Sequence, residues 1–137
     1  MKIENLVNGY VLPNLFYELI FLDEHGIDGS DEDWENRDYV ESVISGFVLP
    51  RFQSFTPNTK TVVRNTLRYL LVTEQANGEI WEAIWQASSA PVPTPYGVRS
   101  FMQHCYDVIF VNDKLPLPDE VNNYLVNHDP QIANRLN

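Results

Sequence analysis

The residues best suited to covalent chemistry stand together in the last third of the chain, His104, Cys105 and Asp107. A cysteine becomes a nucleophile when a nearby base or cation favours its thiolate. Helix neighbours one residue apart point about 100° from each other, so His104 is badly placed to activate Cys105. Cys105 also falls in register with Val98, Phe101, Met102 and Ile109, an apolar stripe in which a free cysteine acts as a small hydrophobe. His25, His104 and His128 are too scattered for a metal motif, and the spacings of zinc, dinucleotide, phosphate-loop and serine-hydrolase sites are missing. An oxygen-ligand series starting at Asp31 continues with Asp33 and Glu35. It then places Asn36 where a calcium loop needs glycine and Ser42 where it needs glutamate. The chain therefore reads as a protein without catalytic residues, metal or cofactor.

What remains is charge. Residues 23–41 hold nine carboxylates against the single Arg37, a local charge of −8. At about 100° per residue, a helix through this stretch puts Asp31, Glu35, Asp38 and Glu41 on one side and Val40, Val43, Ile44 and Phe47 on the other. Trp34 falls on or beside the acidic side. Carboxylates in a first turn complement the helix dipole, which accounts for Asp31, Glu32 and Asp33. Glu35, Asp38 and Glu41 lie further on, where like charges a turn apart repel. They serve either as a solvated face or as a surface that steers a basic partner.

The elements that must hold this face are marked by proline. Thr56-Pro57, Thr94-Pro95 and Asp129-Pro130 each pair a capping side chain with a proline at the first helical position, predicting three helix starts. Residues 13–23, apolar nearly all round, predict a central helix stopped at His25-Gly26. The acidic helix is expected over residues 30–49, capped by Ser30 and ended by Pro50. A third helix carries Lys60, Arg64 and Arg68 as a basic ridge, either solvated or an internal partner for carboxylates, over Val63, Leu67, Leu70 and Leu71. Residues 79–87 form a fourth, with Trp81 and Trp85 one turn apart and read as core. A fifth runs through Cys105, with residues 108–111 read as helix although β-branched enough for a strand. A sixth follows Leu117-Pro118 and includes Val121, Tyr124 and Leu125. The expected fold is all-α, a compact single-domain bundle of about five or six helices over residues 1–137.

A net charge of −10 and a pI near 4.5 disfavour direct binding of nucleic acid or anionic membranes. The apolar fraction of 44% is too high for a disordered acidic tail. Glu4, Pro13 and Glu18 interrupt the first apolar run, which argues against a signal peptide, and a single cysteine suits a reducing cytoplasm. In size, acidity and lack of catalytic motif the chain resembles small bacterial immunity proteins, including those that neutralise contact-dependent growth inhibition toxins. That resemblance implies a tight complex with a cognate toxin domain, often a basic nuclease. Asp31, Glu35, Asp38 and Glu41 would supply complementary charge and Trp34 a buried anchor. The same surface would also suit a phage-type inhibitor that mimics DNA, or an adaptor with no inhibitory role.

Overall fold

The N-terminal strand β1 (Leu6–Val7) lies parallel to β2 (Leu125–Val126), pairing Leu6 with Leu125 and Val7 with Val126. The structure, a computed structural model, describes residues 4–27 and 33–136, of which 65% are helical. The ladder is the exception to an otherwise helical fold. It takes Leu125 out of the expected sixth helix, which shortens to a 3₁₀ segment, Pro118–Asn123. Asn122 and Asn123 are weak helix formers, and the N–H groups of Leu125 and Asn127 instead donate to the carbonyls of Asn5 and Val7 at 2.8 Å.

The central segment is not one α-helix. It divides into α1 (Leu12–Leu15) and a 3₁₀ stretch, Tyr17–His25, kinked at Phe21 and stopped by left-handed Gly26. Its place in the core is as expected, because Leu12, Leu15, Phe16 and Leu19 are fully buried. Each such side chain contributes about 1.5–3 kcal/mol relative to exposure. A broken helix therefore still anchors the fold.

The acidic helix begins six residues later than expected, capped by Asn36 in place of Ser30, and ends later too. Ser30, Asp31 and Glu32 lie outside the described residues; Asp33 to Asn36 are not helical, and α2 spans Arg37–Val43. It runs through a π-helical turn, Ile44–Val48, into α3 (Leu49–Gln53), so Pro50 sits within the helical run rather than beyond it. Proline has no N–H for the Gly46 carbonyl and clashes with it in α geometry. The wider turn, in which the Leu49 N–H reaches the Ile44 carbonyl, accommodates that defect.

Helix α4 (Pro57–Thr73) starts where Thr56-Pro57 predicts, with the Thr56 hydroxyl accepting from the Thr59 N–H, and buries Val63, Leu67, Leu70 and Leu71. Helix α5 (Glu79–Ser88) buries Trp81, whose indole N–H donates to the Gln75 carbonyl at 2.9 Å. Trp85 meets Phe16 and Phe101 edge-on, so both tryptophans belong to the core region as read from the sequence. Helix α6 (Val98–Ile109) keeps residues 108 and 109 helical, whereas Phe110 and Val111, expected to continue it, fall in the turn that follows. The helix begins beyond Thr94-Pro95, which forms a turn instead. Helix α7 (Pro130–Asn134) is capped by Asp129 as expected.

A buried polar seam joins the two ends of the chain to α4. Asn8, fully enclosed, donates through its backbone N–H to the Thr66 hydroxyl and through Nδ2 to the Asp129 carbonyl. The Gly9 N–H donates to His128 Nδ1 at 2.7 Å. Burial such as this is tolerated because the polar groups find partners.

Candidate functional site

The segment before α2 explains where that helix starts. Asp33 Oδ1 accepts from the Glu35 N–H at 3.2 Å, and Asn36 Oδ1 accepts from Asp38 and Tyr39 at 2.9 and 3.3 Å. Short polar side chains that bond the backbone locally compete with helix continuation and favour caps. The turn drives Trp34 inward, leaving it 6% exposed, with its ring edge-on to Tyr39 at 5.3 Å.

The expected four-carboxylate ridge is therefore not one helical row. Asp31 lies outside the described residues. Glu35 stands in the turn, while Asp38 and Glu41 share α2, Asp38 within its first turn. All three are exposed, and none forms an ion pair among the described residues. Trp34 is a wall of the protein's own core and not an aromatic displayed on a charged surface.

Beside this face lies a cleft of about 430 Å³ between the turn before α2, the 93–97 loop and α6. Trp34, Tyr96 and Phe101 supply aromatic walls; Glu35, Arg37, His104 and Asp107 supply polar groups. The loop is shaped by a turn in which the Gly97 N–H donates to the Thr94 carbonyl at 2.9 Å, with Pro95 second in the turn. Gly97 has φ 95° and ψ 159°, a conformation that only glycine adopts readily. Tyr96, 68% exposed, reaches across with its hydroxyl 3.4 Å from the Glu35 carbonyl, which accepts.

His104 and Asp107, three apart on α6, face α2 across this cleft. Arg37 Nη2 is 4.0 Å from Asp107 Oδ2, a loose pair between exposed side chains. Gln103 donates to Asp107 Oδ1 at 3.0 Å. His104 Nε2 is enclosed and has no hydrogen-bond partner among the described residues. Burial, helped by the Arg37 charge and opposed by Glu41 and Asp107, lowers the His104 pKa and favours the neutral imidazole. Cys105 points elsewhere, into the core at 0% exposure, and burial pushes its thiol far up. No thiolate is offered to His104.

The basic ridge has other partners. Arg64 Nε donates to Asp113 Oδ2 at 2.6 Å, and Arg68 Nη1 donates to Asp113 Oδ1, the Tyr106 hydroxyl and the Lys114 carbonyl at 2.8–3.0 Å. Desolvation acts to lower the Arg68 pKa, but the Tyr124 and Tyr106 hydroxyls more than offset it and hold the guanidinium charged. Lys60 lies over the Phe52 ring. A larger hollow of about 700 Å³ borders this region, yet its Asp113 is already committed to two arginines. The 430 Å³ cleft is the better candidate, since its polar groups are loosely engaged.

Arg37, Tyr96 and His104 were not marked as site residues by sequence reasoning. Thr94-Pro95 reads in the sequence as a helix start, so neither the turn it closes with Gly97 nor the apposition of that turn to α2 was anticipated. Compared with known protein families, curated proteins and solved structures, the chain matches none.

Proposed function

We propose that this chain is an immunity-type inhibitor that binds a basic protein, a cognate toxin domain, through the face carrying Glu35, Asp38 and Glu41, with Asp31 adjoining it in sequence. One observation carries the reading: Glu35, Asp38 and Glu41 are exposed and form no ion pair among the described residues, Arg37 beside them is only loosely held by Asp107, and the basic side chains of α3 and α4 are engaged elsewhere. Arg64 and Arg68 hold Asp113; Arg51 donates to Asn14 and lies over Tyr17 and Phe55. A field of one sign left open to solvent accelerates encounter with a surface of the opposite sign. A nuclease must gather positive charge to hold phosphates, so an acidic face can compete for that surface.

The test is a titration of a basic nuclease domain encoded beside this chain's gene. Stoichiometric loss of nuclease activity is expected. Charge reversal at Asp38→Lys with Glu41→Lys should slow association by about tenfold or more and flatten its dependence on salt. Unchanged association rates would remove the acidic face from the mechanism.

A further inference from the structure

We propose that the cleft formed by Trp34, Tyr96 and Phe101, with Glu35, His104 and Asp107 as its polar groups, receives an arginine side chain of the basic partner. The source of that side chain rests on the function proposed above; the cleft's preference for a guanidinium rests on its own chemistry. Its volume of about 430 Å³ lies within the roughly 300–1,000 Å³ range of ligand-sized pockets. The exposed ring of Tyr96 stands over a floor formed by the edges of Trp34 and Phe101, and a guanidinium stacks on an aromatic face while keeping its edge free for hydrogen bonds.

The acceptors diverge around the cleft, which suits the five-donor fork of arginine better than the point charge of lysine. Glu35 stands at the turn and Asp107 on α6, on opposite sides of the cleft. An anion is the poorer occupant, because Glu35 and Asp107 line the cleft, with Glu41 close enough to act on His104, against Arg37 alone. Arg37 itself marks the position. Its 4.0 Å approach to Asp107 is what an incoming guanidinium would take over, and its 77% exposure leaves it free to swing aside.

The experiment is an amide and indole NMR titration of the full chain with L-arginine methyl ester, beside the uncharged isostere L-citrulline methyl ester. Saturable shifts are expected at Gly97, Gln103 and the Trp34 indole with Kd in the millimolar range, about 1–10 mM, as befits a single side chain. The citrulline ester should leave them unmoved. Tyr96→Ala with Asp107→Asn, both exposed positions whose folding is checked by circular dichroism, should raise that Kd by about tenfold. Absence of saturation, equal response to citrulline, or shifts confined to residues away from the cleft would overturn the proposal. The two readings separate cleanly. Toxin binding that persists unchanged in the Tyr96→Ala, Asp107→Asn variant sinks the cleft and spares the acidic face; arginine binding with no basic protein partner does the reverse.

Discussion

Replacing Asp113 by asparagine should loosen the clasp that fixes the end of α6 against α4, and so the helix that carries His104 and Asp107. The carboxylate receives Arg64 at 2.6 Å and Arg68 at 3.0 Å. Asparagine keeps one acceptor oxygen, loses the charge and turns an NH₂ toward a guanidinium. Breaking a fully buried pair costs about 3–5 kcal/mol. Asp113 is 30% exposed at its side chain and Arg64 42%, and Arg68 retains Tyr106, Tyr124 and the Lys114 carbonyl. The expected loss is therefore smaller, about 2 kcal/mol. With a urea slope of about 1.5 kcal/mol per molar, the midpoint should fall by roughly 1.3 M at pH 7. The pH dependence gives an independent check. Hydrogen bonding from Arg64, opposed by desolvation, lowers the Asp113 pKa below its ordinary 3.8. A depressed carboxyl contributes stability that is present above 3.8 and lost as pH falls through the folded-state value. Protonated Asp113 resembles asparagine, so the two denaturation midpoints should converge at strongly acid pH. A variant that loses less than about 0.5 kcal/mol at pH 7, or the same amount at both pH values, would refute a charge-based clasp.

Histidine titration should show in stability as well. Burial lowers the His128 pKa, partly offset by Glu74, and burial with Arg37 lowers that of His104; the unfolded chain thus takes up protons first as pH falls below 6.5. Stability should be fully present above 6.5 and decline from there, read as a lower urea midpoint at pH 5.5 than at pH 7.5; a flat or rising midpoint would contradict this. Protonating His128 also removes the acceptor of the Gly9 N–H, so His128→Ala should shallow the slope while lowering stability outright. Gly97→Ala must hold a side chain at φ 95° and should cost about 1–3 kcal/mol, seen as a lower melting temperature and altered amide shifts at residues 94–98. An unchanged melting curve would mean that the loop relaxes freely. Cys105, at 0% exposure with its thiol pushed far up, should react with a thiol reagent only on unfolding, and fast labelling of the native chain would place it elsewhere.

Local signals were legible wherever one residue's covalent nature restricts its own backbone. Thr56-Pro57 and Asp129-Pro130 predicted helix starts correctly, Gly26 a stop, and the 3.6-residue periodicities of α4, α5 and α6 the faces that became core. Reading went astray where two local preferences compete. Pro50 is a strong breaker, but a π turn absorbed it. Asp33 and Asn36 are tolerable in a helix or excellent in a turn, and the turn prevailed once Trp34 could reach the core.

The sequence by itself determined a mostly helical protein, the core status of Trp81 and Cys105, and an acidic segment around α2, because these follow from composition and short-range periodicity. Only the tertiary structure decided that Leu125–Val126 pairs with Leu6–Val7, that Arg64 and Arg68 close on Asp113, and that the 93–97 loop and α6 meet the turn before α2. Each of these joins residues tens of positions apart. Such pairings depend on how whole faces dock, and no spacing within a segment encodes them.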